Sequence, residues 1–286
     1  GRKNSGKKKS NRHHHQDREY KPEKASTSQE TEMNQDDCSD MLHTVIAGPP
    51  GVGKTVFGKI LAKIYMSLGI TSRDTFKIVR RSDLVGEYLG QTAIKTQKAI
   101  DSALGGVLFI DEAYSLGCND GYRKSDSFSK ECIDTINQNL SEKKGQFICI
   151  IAGYPEELDR HFFSVNPGLK RRFSFHYKIE GYDGMELTEI LVRKIEKMAW
   201  KIDLPAKKWL LSEEFVEKHK SEFPNFGGDI ETWLLNIKIV HGRRIFGREA
   251  NLKKNITLED VKAGYELFIK NRPEKKESTV WKDLYL

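Results

Sequence analysis

The sequence predicts an α/β protein, a parallel sheet layered between helices, followed by a smaller all-helical unit. Three observations predict it. Short β-branched runs alternate with helical spacings between residues 41 and 181, the pattern of strands joined by helical crossovers. Beyond about Gly181 the β signal stops and apolar residues recur at helical spacing only. The first strand-like run ends in Gly-Pro-Pro-Gly and opens into a helical stripe, which is a buried strand entering a tight loop.

The elements follow in chain order. Residues 1–40 contain only four members of the hydrophobic set, Tyr20, Ala25, Met33 and Cys38, too few to offset chain entropy, so they read as a disordered tail. That tail is a charge diblock: residues 1–24 carry nine Lys/Arg against three acids, and residues 25–40 carry five acids and no base. A basic arm can touch phosphates, but a solvated tail is the favoured reading, and His13, His14 and His15 read as incidental. The chain begins at Gly1 rather than Met, as a piece of a longer protein would. Leu42–Ala47 is the first strand and Val56–Leu68 the first helix, with Ile60, Leu61, Ile64 and Leu68 on one stripe. Phe76–Val79, Gly106–Ile110, Phe147–Ala152 and Phe173–Tyr177 are the further strands, with helices over Ala93–Leu104 and Phe128–Leu140 between them. Met185–Trp200, Ile230–Ile239 and Val261–Ile269 are helical, the last preceded by a cap at Thr257-Leu-Glu-Asp260. The expected divisions are a tail at 1–40, an α/β domain at 41–181, a helical domain at 182–272 and a polar extension at 273–286.

Composition removes several function classes. The 286 residues carry 48 Lys+Arg and 41 Asp+Glu, a net charge of +7 that does not by itself indicate nucleic acid. No window holds about 18 consecutive apolar residues, which excludes a membrane-spanning helix. No signal peptide is visible. Four scattered cysteines with no CxxC pair argue against a disulfide framework or zinc site. The expectation is a soluble, intracellular and cytoplasmic protein.

The strongest motif is Gly48-Pro49-Pro50-Gly51-Val52-Gly53-Lys54-Thr55, a GxxxxGK[ST] loop between strand and helix, with Val56 following. Its glycines let consecutive backbone N–H groups surround phosphate oxygens at the positive end of a helix. Lys54 would neutralise the β and γ oxygens, and the Thr55 hydroxyl would hold Mg²⁺. This is a site for a nucleoside triphosphate. The second motif is Val107-Leu-Phe-Ile-Asp-Glu112, a buried strand delivering Asp111 beside the loop to hold the magnesium through water. Glu112, one residue on, suits orienting or deprotonating the attacking water, which favours hydrolysis over transfer to an acceptor.

These motifs resemble those of the AAA+ ATPases, with the P-loop three-layer αβα fold and a helical lid. The stretch Arg81-Ser-Asp-Leu-Val-Gly-Glu-Tyr-Leu-Gly-Gln-Thr92 narrows the resemblance, as do Leu104–Leu116, Ala152–Arg160 and Asn166-Pro-Gly-Leu-Lys-Arg-Arg-Phe173. Together they are similar to the stage V sporulation protein K and CbbX branch, which includes the red-type Rubisco activase. The resemblance is close over residues 42–181 and loose over 182–270. It implies a ring-shaped homo-oligomer, typically a hexamer, with ATP and Mg²⁺ between subunits. It makes Arg172 the arginine finger reaching into the neighbour's site, with Arg171 able to share the role. It makes Tyr88 the pore residue that grips a threaded polypeptide, with Leu89 beside it.

This sequence departs from the AAA+ pattern at three places. The sensor-1 position aligns with Gly153 where a polar residue is usual, leaving Tyr154 or a water to meet the γ-phosphate. Asp229 and Ile230 stand where the sensor-2 arginine is expected, with Arg243 and Arg244 as possible substitutes. The helical segment that precedes the first strand has no counterpart in residues 1–40. The leading expectation is an ATPase that remodels a protein substrate of unknown identity. The alternatives are a nucleotide-gated scaffold with weak or no hydrolysis, which Glu112 opposes, and an AAA+ protein acting on nucleic acid, which an aromatic pore residue opposes. A small-molecule kinase is opposed by the Asp-Glu pair with Arg172.

Overall fold

The computed structural model describes residues 42–88, 90–117, 127–212, 215 and 220–272. The charged tail, Leu89 and the C-terminal extension lie outside the described residues.

Five strands form one sheet: β1 (Thr44–Ala47), β2 (Phe76–Val79), β3 (Val107–Ile110), β4 (Ile148–Gly153) and β5 (Phe175–Lys178). The order is β2-β3-β4-β1-β5 and every pairing is parallel. Helices α1 (Lys54–Ser67), α2 (Arg81–Leu84), α3 (Gln91–Ser102) and α4 (Ser127–Glu142) make the crossovers. Strand residues alternate between two apolar layers, as a period of two dictates. Val45, Leu108, Ile110, Cys149 and Ile151 pack with residues of α3 and α4 on one face. Ile46, Val107, Phe109, Ile148 and Ile150 pack against Leu61, Ala62 and Tyr65 of α1 on the other. This is the three-layer αβα arrangement, and the central strands β1, β3 and β4 read as apolar runs because both faces are covered, whereas the edge strands β2 and β5 carry exposed polar residues.

The C-terminal part contains α5 (Gly184–Lys197), α6 (Leu204–Leu210), α7 (Gly227–Ile245) and α8 (Leu258–Lys270). Its apolar residues share a separate cluster around Trp233, Leu191 and Ile237. Thr257 caps α8 as its sequence suggests, accepting from the Asp260 N–H while the Asp260 carboxylate takes the Thr257 N–H. Helical spacing did not disclose two features. Lys201–Ile202 pairs in parallel with Asn255–Ile256, so the unit holds a two-stranded bridge, too short to carry a period. Helix α6 is also unanticipated, although Asp203 accepts from the Ala206 N–H as its cap and Pro205 sits in the first turn.

Candidate active site

The order of the sheet sets the position of the site. β1 lies beside β4, and β4 beside β3, so the residues leaving their carboxyl ends converge. The Gly48 N–H donates to the Gly153 carbonyl at 3.1 Å, fastening the loop after β1 to the end of β4. The loop then turns through positive φ at Gly51 (75°) and Gly53 (87°), which side-chain-bearing residues adopt at a cost. Gly53 stands at the N-cap of α1 and offers no side-chain acceptor, so the first amides of α1 are left to an anion.

Lys54 reaches back across this loop. Its ammonium donates to the carbonyls of Gly48 (2.9 Å) and Pro49 (2.8 Å) and lies 5.4 Å from the centre of the Tyr154 ring. Burial pushes its pKa below the ordinary value, while Asp111 and Glu112 act to raise it. Lys54, Thr55, Asp111 and Glu112 all line one cleft of about 910 Å³, which also takes in Pro50, Gly51, Val52, Gly53 and Val56. Asp111 leaves β3 with its N–H bonded to the Val79 carbonyl at 2.9 Å, and its carboxylate accepts from Arg80 at 3.2 Å. Glu112 holds φ at 51°, a left-handed conformation costing about 1–3 kcal/mol for such a residue. The buried Ala113 and Leu116 of the following turn hold it there, with the carboxylate on the exposed cleft wall.

Asp111 and Thr55 present two hard oxygen donors beside a phosphate-sized loop. That suits magnesium, which keeps several waters and takes phosphate oxygens, better than an all-protein cage. Among the described residues no cluster of three or more His, Cys, Asp or Glu could hold a metal alone.

The sensor-1 position has a steric explanation. A Cβ on Gly153 would stand 2.9 Å from the Tyr114 ring and 3.1 Å from Leu158. Tyr114 and Tyr154 pack at 5.5 Å between ring centres, and Tyr154 lines the cleft where a polar side chain at position 153 is excluded.

The helical unit closes the cleft through neutral contacts. The Gly227 N–H donates to the Gly51 carbonyl at 2.9 Å, and the Tyr182 hydroxyl to the Val52 carbonyl at 2.8 Å. Ile230 is fully buried and the Asp229 carboxylate is bonded to Asn225, so neither presents a charge to the cleft. The expected substitutes do not reach it. Arg244 is bound to Asp260, and neither it nor Arg243 lines the cleft. The lid cation that does line it is Lys194 of α5, paired at 2.7 Å with Glu231 of α7. Sequence reasoning missed Lys194 and Arg80. Lys194 lies one turn after Ile190, which lines the same wall, and Arg80 follows a predicted strand.

Arg171 and Arg172 lie apart from these groups, in the turn Lys170–Arg172, and among the described residues no arginine lines the cleft. Tyr88 is 67% exposed between α2 and α3, and its neighbour Leu89 lies outside the described residues.

Residues 44–180, from β1 through β5, match the model of the ATPase family associated with various cellular activities, AAA. The chain carries an AAA-family domain. A cfxQ-like protein of Acanthamoeba polyphaga mimivirus is 47% identical over 236 residues, covering 82% of this chain and 57% of that protein. Stage V sporulation protein K of Bacillus subtilis is 41% identical over 183 residues, 64% of this chain and 55% of the relative. These likenesses place the AAA domain in the stage V sporulation protein K/CbbX branch. An ESX-3 secretion system protein of Mycolicibacterium smegmatis is 43% identical over 155 residues, 54% of this chain but 25% of its own length. The chain thus spans little more than half of the first two relatives. The AAA domain of FIGL-1 in complex with ADP superposes with a TM-score of 0.54 at 18% identity, over 83% of this chain and 74% of that one, a likeness of fold. Among the described residues no helix of the AAA protein is long and apolar enough to cross a membrane.

Proposed function

We propose that this AAA protein hydrolyses ATP at the subunit interfaces of a homo-oligomeric ring, of six subunits as in its branch, and uses the cycle to remodel or thread a protein substrate. The observation that carries the reading is the composition of the cleft. It holds Lys54, Thr55, Asp111 and Glu112 on one wall, yet among the described residues no arginine lines it. The absence of a lining arginine supports an arginine supplied by a second copy to the departing γ-phosphate, and Arg172, with Arg171 beside it, is the group assigned that role.

In this reading the loop amides and Lys54 hold the β- and γ-phosphates. Thr55 and Asp111 would hold magnesium, which supplies charge neutralisation across those phosphates. Arg80, paired with Asp111 at 3.2 Å, would compete with magnesium for that carboxylate. Glu112 takes a proton from the water that attacks the γ-phosphorus, the bond to the bridging oxygen breaks, and ADP and phosphate leave. Tyr88, and Leu89 beside it, contact the substrate. An aromatic there suits polypeptide rather than a phosphate backbone. The scattered cysteines, of which Cys132 and Cys149 are free and buried, fit a cytoplasmic setting.

The test is steady-state ATPase rate against protein concentration for the parent, Glu112→Gln and Arg172→Ala. The rate per subunit should rise with concentration, and both variants should lose about 10³-fold or more, with ATP binding retained in Glu112→Gln. A parent that binds ATP but hydrolyses none at any concentration would instead support a nucleotide-gated scaffold, the reading that Gly153 and Ile230 favour.

A further inference from the structure

Arg172 does not project freely. Its Nε donates to the Asn137 Oδ1 of α4 at 2.8 Å, and its terminal amines have no hydrogen-bond partner among the described residues. The guanidinium is planar, so one bond to Nε from a helix-fixed acceptor sets the plane. It leaves both terminal N–H groups, the pair that meets a phosphate side by side, facing away from the anchor. Arg171 is exposed and has no such anchor among the described residues.

The segment carrying Arg172 is fastened to the same helix elsewhere. The Asn166 amide donates to Asp134 of α4 at 3.1 Å, and its own oxygen takes the Gly168 N–H at 3.0 Å. Leu169 and Phe173 are buried on either side of the turn, so its backbone has little freedom. Helix α4 is in turn tied, through Arg81, to the turn Ala113–Leu116 that follows β3. Arg81 donates to the Ser115 carbonyl at 2.9 Å, three residues after Glu112, and to the Ser129 hydroxyl of α4 at 2.7 Å. One rigid helix therefore touches both the turn behind a subunit's own Glu112 and the arginine it would show to a neighbour.

We infer that Asn137 is a positioning residue that aims the Arg172 guanidinium at the nucleotide of the adjacent subunit. The inference rests on the reading of Arg172 as acting in trans. It predicts an asymmetry: Asn137 matters in the subunit that donates the arginine and not in the one that hydrolyses. A guanidinium released from its anchor still reaches the site but spends little time aligned, and misplacement of about 1 Å in such a contact costs up to 10²-fold in rate.

The experiment mixes full-length variants in excess ATP and reads kcat and KM. Glu112→Gln subunits cannot hydrolyse but offer Arg172, whereas Arg172→Ala subunits can hydrolyse but offer none. Equal mixtures of the two should regain activity that neither has alone. Adding Asn137→Ala to the Glu112→Gln subunit should lower the regained kcat about tenfold at unchanged KM. The same substitution placed on the Arg172→Ala subunit should leave it unchanged. Alanine is the best helix former, so α4 is retained. No regain in the reference mixture removes the trans-acting arginine and this proposal with it. A regain that is insensitive to Asn137→Ala in either subunit overturns the positioning role alone, and so does equal loss in both arrangements, which marks a general structural effect.

Discussion

Asp260→Asn tests whether the lid is held by the charge network buried beneath α7 and α8. Asp260 is fully buried, and its carboxylate meets Arg244 Nε at 2.7 Å, Arg244 Nη2 at 2.8 Å, His241 Nδ1 at 3.0 Å and the Thr257 N–H at 3.1 Å. Asparagine keeps the shape but removes the charge, and its amide nitrogen must face a donor where an oxygen stood. At least one hydrogen bond is lost, and Arg244, which is 22% exposed, loses its bonded counter-ion and keeps only the more distant charges of Glu259 and Asp203. With one partner buried and the other partly in solvent, the loss should be about 1.5–3 kcal/mol. The pH dependence follows from the carboxyl itself. Burial pushes its pKa up, but hydrogen bonds from Arg244, Thr257 and His241 outweigh that and hold it below the ordinary 3.8. A folded pKa below the unfolded one gives stability that is complete above about pH 4 and is lost as pH falls through the lowered value. The gap between parent and variant should therefore close in strong acid. The assay is urea denaturation followed by tryptophan fluorescence in a Trp281→Phe background, which isolates the lid: Trp200, Trp209 and Trp233 are the other three tryptophans, and none precedes residue 200. A loss below about 1 kcal/mol at pH 7 would refute the claim that this network holds the lid together.

Four further outcomes follow from the cleft. Gly51→Ala places a Cβ 1.9 Å from the Asn225 carbonyl at a φ of 75°, so it should part the lid from the loop and weaken ADP binding about tenfold or more; fluorescent-nucleotide titration checks it, and unchanged affinity contradicts the packing. Gly153→Asn, which restores a polar side chain, should not raise kcat and should cost about 1–3 kcal/mol of stability, because Tyr114 and Leu158 fill the space; a faster enzyme would count against this. Tyr182→Phe removes the 2.8 Å bond to the Val52 carbonyl and should weaken ATP and ADP alike by about 3- to 10-fold, whereas a selective loss of ATP would place the tyrosine at the γ-phosphate. Because burial lowers the Lys54 pKa, its charge is lost as pH rises through a value below 10.5, and ATP affinity should fall in that window with proton uptake on binding, which calorimetry in buffers of different ionisation enthalpy would register.

Much of the fold was legible because its central strands β1, β3 and β4 are short, apolar and β-branched and are buried on both faces. β3 runs Val107–Ile110 with every residue buried, and its motif neighbours Asp111 and Glu112 are fixed by where the strand stops. The P-loop was legible for a different reason, since only glycine tolerates its turns. What the sequence hid depends on long-range packing. Lys194 and Arg80 carry no motif, and only the approach of α5 to the cleft, or of β2 to β3, shows what they face. Arg244 illustrates the reverse: its place near the end of α7 suggested a role with nucleotide, but Asp260, 16 residues on, holds it in the lid core. The pairing of Asn137 with Arg172 spans 35 residues and rests on the packing of α4 beside the turn after β4, which no local period encodes.

The departures at Gly153 and Ile230 belong together physically. An arginine at the start of α7 would bring the lid into direct attraction with the terminal phosphate, so lid position would follow phosphate charge. Here Asp229, bonded to Asn225, and the buried Ile230 stand at that position, and the lid is joined to the loop by two neutral hydrogen bonds to the Gly51 and Val52 carbonyls. Each contributes about 1 kcal/mol, little enough for opening to be frequent but directional enough to follow the backbone. When the loop amides turn inward onto an anion, their carbonyls point outward toward the lid. A lid held this way responds to whether the loop is ordered by any phosphate more than to whether the γ-phosphate is present. Discrimination between ATP and ADP then falls to groups on the other wall, Tyr154 and Glu112, and to the arginine supplied by a neighbour. On the proposed reading, sensing of nucleotide shifts from the lid toward the subunit interface, and the helix that holds both Asn137 and the turn behind Glu112 is placed to carry it.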